Sequence, residues 1–269
     1  MARRNQNGYR TDKATRLARL PLSPTLAQCH LDSPLATQSH LTQAGRNTHY
    51  DKNVAGPAWD DDAASQRADA NLARLAVSIP SESNESRWPP EANLARDWHR
   101  EMLAGVTIRD PAGVIIREDA YRGGFRGDPD PALVDYEVMV GGLPTTRACD
   151  VAEEIRQLMA ALERRVSHLD DLASQADPAT LAPDFVGHVL DTAAWLHCEW
   201  VRIHPFVNGN GRTARMWVLW LCGRYRLPLL LALRPRPEMG YNAASQLGVT
   251  GDYSLLLQYL LYRYNASSQ

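Results

Sequence analysis

A mainly α-helical fold carrying one small β-hairpin is predicted by three observations. Apolar residues recur at helical spacing in several separate stretches, and one run alternates instead and ends in Gly141-Gly142. The chemically densest segment, residues 204–215, lies between two of the helical stretches.

The elements follow in chain order. Residues 1–57 are polar, with scattered Pro21, Pro24, Pro34 and Pro57 and no sustained period, which predicts a flexible N-terminal segment ahead of a domain over 58–269. Acids at Asp60, Asp61 and Asp62 mark a helix start; Leu72, Leu75 and Ala76 give it an apolar face, and Pro80 is expected to end it. Ser81 to Ser86 then reads as a charged loop. A second helix is predicted from Glu91 to Ala104, with Leu94, Trp98, Met102 and Leu103 inward. The alternating run Tyr136 to Pro144, turning at Gly141-Gly142, predicts the hairpin, with Val138, Met139 and Val140 on its first strand. Ile155, Leu158, Leu162 and Val166 mark a helix over Val151 to Leu169. Phe185, Val189, Ala193, Leu196, Trp200 and Ile203 mark another from Asp184 to Ile203. A third begins at Asn210, with Ala214, Val218, Leu221 and Tyr225 on one face.

Composition narrows the function classes. Lys and Arg number 29 against 31 Asp and Glu, a net charge of −2, so no general affinity for nucleic acid or an acidic membrane is expected. No secretory h-region is present, and the stretch Met216 to Leu233 is broken by Arg224, Arg226 and Pro228, so no membrane partner is expected either. Cys29, Cys149, Cys198 and Cys222 form no Cys-x-x-Cys pair; this argues against a zinc site and fits a reducing, cytoplasmic setting, an exported effector being the alternative. The charge balance is nonetheless local. No acid lies between Glu199 and Glu238, a span holding Arg202, Arg212, Arg215, Arg224, Arg226, Arg234 and Arg236. Arg224 and Arg226 suit a helix C-terminus and Arg234 and Arg236 are expected to be solvated, which leaves Arg212 and Arg215 in need of an anion.

Residues His204-Pro205-Phe206-Val207-Asn208-Gly209-Asn210-Gly211-Arg212-Thr213-Ala214-Arg215 have the composition of a phosphate site. Gly209, Asn210 and Gly211 tolerate positive φ, so successive N–H groups can turn toward one oxyanion. The first turn of the following helix adds its dipole. Arg212 and Arg215 can grip phosphate oxygens in a forked geometry, and His204, with an intrinsic pKa of about 6.5, can take a hydroxyl proton. Gly209 to Ala214 also fits a dinucleotide Gly-x-Gly-x-x-Ala fingerprint formally, but that motif needs a preceding strand, and here a helix precedes.

The same segment resembles the signature of the Fic/Doc family, His-Pro-Phe-x-(Asp or Glu)-Gly-Asn-Gly-Arg-x-x-Arg, matching every position but Asn208. Trp98-His99-Arg100, Gly124-Phe125-Arg126 and the C-terminal stretches Tyr241 to Ala244 and Asp252 to Tyr264 extend the likeness over residues 58–265. The resemblance implies a Fic-like helical bundle whose hairpin (Val138, Met139, Val140, Gly141, Gly142) is a flap over the active site that aligns a target segment. It implies a protein adenylyltransferase moving AMP from ATP, with Mg²⁺, to a Ser, Thr or Tyr hydroxyl of a target protein. His204 would be the general base and Phe206 a buried anchor. Asn208, Gly209, Asn210, Gly211, Arg212, Arg215 and Tyr241 would bind the nucleotide. At Asn208 the family has an acid that holds the metal, and a neutral amide brings no charge to it. Two alternatives follow: a phosphotransferase using the γ-phosphate, as in a related toxin branch, or a catalytically weak nucleotide-binding regulator. Some family members are restrained by a glutamate in a Ser/Thr-x-x-x-Glu segment; Ser81 to Ser86 comes near that pattern, which makes Glu85 a candidate inhibitor of Arg215. An antitoxin-like partner protein is the other expected source of restraint.

Overall fold

The computed structural model describes residues 63–87, 89–106, 118–175, 183–237 and 240–267. The N-terminal segment 1–57 and the acids Asp60, Asp61 and Asp62 lie outside these. Eight helices and one hairpin follow in order: α1 (Ala63–Ser86), α2 (Ala92–Met102), α3 (Glu118–Tyr121), β1 (Met139–Val140), β2 (Leu143–Pro144), α4 (Val151–Gln175), α5 (Pro183–Ile203), α6 (Asn210–Arg224), α7 (Tyr241–Gly248) and α8 (Ser254–Ser267). Among the described residues no helix is long and apolar enough to cross a membrane.

The core is built around α5, which packs against α4, α6, α7 and α8. α6 is sandwiched between α5 and α1, and burial runs through Met216, Trp217, Val218, Leu219, Trp220, Leu221 and Cys222 instead of stopping at one stripe. A helix apolar on all sides is stable only when neighbours enclose it. Trp217 packs edge-on to Trp98 at 4.8 Å and tilted against Trp200 at 5.7 Å, tying α2, α5 and α6 together.

α1 does not stop at Pro80 as the sequence predicts; it continues to Ser86. A proline inside a helix loses one backbone bond, and here tertiary packing outweighs that loss. α1 lies so close on α6 that a Cβ at Gly223 would sit 2.3 Å from Pro80 Cα and 2.6 Å from Ser83 Oγ. At the far end of α6, Arg224 is more than a helix-terminal charge. It is 3% exposed and reaches Asp170 on α4 at 2.6 Å and the Arg87 carbonyl at 3.0 Å. Arg87 returns a bond to the Arg224 carbonyl at 2.8 Å.

The hairpin ladder is short, pairing Met139 with Pro144 and Val140 with Leu143. Gly141 and Gly142 have φ of 59° and 79°, the left-handed pair that a two-residue hairpin turn requires.

Two histidines are fully buried within this framework, His99 on α2 and His197 on α5. Burial, abetted by nearby arginines, pushes each down to about 3, so both are neutral in the fold.

Two predictions follow from this packing. Gly223→Ala should destabilise the protein by about 1–3 kcal/mol in urea denaturation, because the α1 backbone blocks the new methyl. Gly187→Ala on α5, where a Cβ meets nothing within 4 Å, should be neutral or slightly stabilising. Between the ordinary histidine pKa and about 3, the unfolded chain binds protons that the fold refuses, so stability falls as pH falls through this window. At pH 5 each histidine should contribute a loss on the order of 2 kcal/mol relative to neutral pH. His197→Gln should flatten that dependence; an unchanged slope would remove His197 from it.

Candidate active site

His204 closes α5 in the left-handed region, with φ of 55°. Its N–H bonds the Trp200 carbonyl at 2.9 Å, finishing the last helical turn, and its Nδ1 stands 3.1 Å from the Val201 carbonyl. With Nδ1–H donated there, the proton-accepting nitrogen of the ring is Nε2. A non-glycine residue holds positive φ only where its surroundings fix it. Arg126 does much of that fixing. This side chain, 1% exposed, donates from Nε to the His204 carbonyl at 2.7 Å and from Nη2 to the Ile203 carbonyl at 2.9 Å. The same guanidinium reaches the hairpin's flanks at the Tyr136 carbonyl (3.0 Å), Thr145 Oγ1 (3.2 Å) and the Thr146 carbonyl (2.7 Å). The His204 loop and the hairpin thus hang from one cation. Burial pushes its pKa down to about 10, which leaves it charged near neutrality.

Phe206 is fully buried and stacks on the His99 ring at 3.9 Å, with Phe125 at 4.9 Å. His99 takes the Gly123 N–H on Nδ1 at 3.0 Å, so Nε2 carries the proton and donates it to the Asn208 carbonyl at 3.0 Å. The next turn is set by Gly209, whose φ is 86°. A Cβ there would lie 2.8 Å from Met102 Cε and 3.0 Å from His99 Nε2, so both conformation and space exclude a side chain. Arg212 N and Thr213 N both bond the Gly209 carbonyl at 3.0 Å and start α6.

Several side chains point elsewhere than expected. Asn210 is buried and clasps the Phe206 peptide, accepting from its N–H at 2.9 Å and donating to its carbonyl at 2.7 Å. Its amide holds the loop, and only its backbone is left for a phosphate role. Gly211 lies inside α6 without positive φ; a Cβ there would meet only Arg215 Nη1, at 3.8 Å. Its lack of a side chain keeps the space beside that guanidinium open. Asn208, expected at the metal, turns Oδ1 onto the Gly209 N–H at 2.6 Å. Among the described residues no three His, Cys, Asp or Glu side chains gather to hold a metal ion. At position 208 an amide, already engaged within the turn, stands where an acid would bring a charge.

Arg215 is 4% exposed; it donates to the Leu233 carbonyl at 2.8 Å and to Tyr241 Oη at 3.4 Å, and its Nε has no partner. Tyr241, 1% exposed, is fixed from behind by His197 Nε2 at 2.7 Å. Arg212 lies at the α2 side, its Nη1 4.0 Å from Met102 Sδ. Arg236 is exposed, as expected, at the edge of this cluster, with its guanidinium 5.8 Å from the Tyr241 ring centroid. Arg234 instead pairs with Asp69 on α1 at 2.7 Å.

Glu85 is not brought to Arg215. It is exposed and accepts a bond from Ser81 at 2.9 Å, while the adjacent Asn84 accepts from Arg226. This places it beside the C-terminal end of α6, and the helical rise sets Gly223 about 12 Å along the axis from Arg215. The hairpin tip reaches α7, where a Cβ on Gly141 would lie 2.4 Å from Gln246 Nε2. Val138 is buried, whereas Met139 and Leu143 are each 38% exposed. His99, Arg126, His197 and Arg236 were not among the site residues expected from sequence. A lone Arg or His carries no local sign of burial; for Arg126 and His99 the available signal is the family resemblance of Gly124-Phe125-Arg126 and Trp98-His99-Arg100.

Comparison with known proteins places residues 91–222 in the Fic/DOC family. A uridine 5'-monophosphate transferase of Xanthomonas campestris pv. campestris (strain 8004) is 42% identical over 59 residues, which cover 22% of this chain and 10% of that protein. Protein adenylyltransferase fic-1 of Caenorhabditis briggsae is 33% identical over 94 residues, covering 35% of this chain and 17% of that protein. The chain thus spans only a small part of these curated relatives. Solved structures that resemble it include a Fic-domain signalling protein from Bacteroides thetaiotaomicron VPI-5482 (17% identity, TM-score 0.46, 77% of this chain and 69% of that one). Another is a Fic-1 fragment from C. elegans (23% identity, TM-score 0.46, 77% and 50%). The matched segment runs from the start of α2 into the last turn of α6 and carries His99, Arg126, the hairpin and the His204 to Arg215 loop and helix: the chain belongs to the Fic/DOC family.

Proposed function

We propose that this protein is a nucleotidyltransferase that moves a nucleoside monophosphate, AMP by preference, from the triphosphate to a Ser, Thr or Tyr hydroxyl of a target protein. The observation that carries this reading is Arg215, a guanidinium 4% exposed, with an orphaned Nε and no carboxylate paired to it among the described residues. It opens α6 from the same loop that begins with His204. A buried cation without a counter-charge calls for an anionic ligand.

The geometry supports the following roles. His204 Nε2 takes the proton of the target hydroxyl while Nδ1 stays on Val201, which keeps the ring oriented. The hydroxyl oxygen bonds to the α-phosphorus, the bond from that phosphorus to the bridging oxygen breaks, and pyrophosphate leaves with the electron pair. Arg215 and Arg212 stabilise the charge that grows on the leaving group. The short hairpin, with Met139 and Leu143 exposed, is where we place the target's hydroxyl-bearing segment. Mg²⁺ is assigned to the substrate, as part of Mg-ATP, and no step is routed through it. ATP over other triphosphates is our reading of the likeness to an adenylyltransferase, although the uridylyl relative matches at higher identity over a shorter span.

Incubation with ATP labelled at either end tests the reaction. Label from the α-position should appear on protein and label from the γ-position should not; the reverse would make the protein a phosphotransferase, and ATP binding with neither label would make it a silent nucleotide binder. His204→Ala should reduce transfer by at least about a hundredfold while changing ATP affinity less than about threefold, and full activity in that variant would remove the assigned base. Arg215→Gln should weaken ATP binding about tenfold or more while AMP binding changes little. Equal losses for both nucleotides would place Arg215 away from the terminal phosphates.

A further inference from the structure

Beside Arg215 lies a second cation, Arg236, to which the proposed reaction gives no role. It follows α6 in the run Arg234-Pro235-Arg236-Pro237, whose first arginine is tied to Asp69 at 2.7 Å. The two prolines restrict the backbone around it. Two residues beyond Arg234, Arg236 turns the other way, and its guanidinium carbon lies 5.8 Å from the Tyr241 ring centroid. The Arg215 guanidinium carbon lies 5.7 Å from the same centroid. Tyr241 itself is held by His197, so the ring both cations face is fixed in position.

Among the described residues neither cation meets an acid. Elsewhere in the fold partly buried arginines meet acids: Arg96 meets Asp128, Arg202 meets Glu154 and Glu199, and Arg224 meets Asp170. Arg215 and Arg236 have no ion pair with an acid among the described residues. Loss of solvent, and to a lesser degree the Arg215 charge, disfavour the charged form of Arg236. Two like charges at one rigid ring, with the deeper one keeping an unbonded Nε, are unfavourable until something multiply negative comes between them. Aromatic contact offsets part of this cost, but it supplies no negative charge.

We infer that Arg236 and Arg215 together form a two-guanidinium subsite, beside Tyr241, for the terminal diphosphate of the nucleotide and for the pyrophosphate it becomes. Arg215 supplies the buried contact and Arg236 the one at the rim, so Arg236 sets the preference for triphosphates over monophosphates. This rests on the reading of the Arg215 end as a phosphate site.

Inorganic pyrophosphate is the direct probe, titrated calorimetrically into the full chain beside ATP and AMP. In Arg236→Gln the affinities for pyrophosphate and ATP should each drop about tenfold, with AMP changing less than about twofold. Arg236→Lys should recover part of the loss, and added salt should weaken pyrophosphate binding more in the wild type than in Arg236→Gln. Because Arg236 is exposed and makes no ion pair among the described residues, both variants should melt with the wild type. Wild-type pyrophosphate affinity in Arg236→Gln, or an equal loss for AMP, overturns the role of Arg236 and leaves the Arg215 site standing. A wild-type protein that binds neither ATP nor pyrophosphate overturns both.

Discussion

The rest of the candidate site depends on one buried cation. Arg126 lies between the end of α5 and the two flanks of the hairpin, spending its donors on main-chain carbonyls and one hydroxyl. Burying a guanidinium is costly unless its hydrogen bonds are made, and here they are made to the backbone of the segments that must hold still. Glu137, half exposed at 3.5 Å, adds only a screened attraction. Because the acceptors include the carbonyls of Ile203 and His204, the left-handed turn that aims the imidazole is secured from behind. The hairpin answers to the same group, so the His204 turn and the hairpin keep one geometry.

A second constraint is the way the loop satisfies its own polar groups. Asn210 clasps the Phe206 peptide, Asn208 caps the Gly209 N–H, and Thr213 Oγ1 bonds the Gly209 carbonyl at 3.0 Å. His99, kept neutral by burial, supports Phe206 with its face and Asn208 with its edge. A tight loop with its amides engaged costs little to hold in place when a ligand arrives, and that is the condition for rapid group transfer. The same economy bears on position 208: an amide already bonded within the turn is a poor substitute for a carboxylate facing outward.

Local pattern foretold much of this. The helical periods over α2, α4, α5 and α6 match the observed elements closely, as does the Gly141-Gly142 turn. Each is set by neighbours along the chain: apolar spacing selects helix, and paired glycines admit the left-handed conformation that a hairpin needs. Pro80 misled because its penalty is local whereas its compensation is not; the close fit on Gly223 comes from a helix far along the chain. Arg234 misled for a like reason: in sequence it is indistinguishable from Arg236, which stays exposed, yet a distant helix brings Asp69 to it.

By itself, then, the sequence determined which residue types stand between α5 and α6, that helices flank them, and that a base, glycines and two arginines share one short segment. The tertiary structure alone decided which of those side chains serve the loop and which are left for a ligand. It set Asn210 and Asn208 on the backbone, Arg126 under the turn, and Arg236 beside Arg215. The reason is physical: secondary structure answers to spacing over a few residues, but the fate of a buried charge or amide depends on the partners that distant segments bring to it.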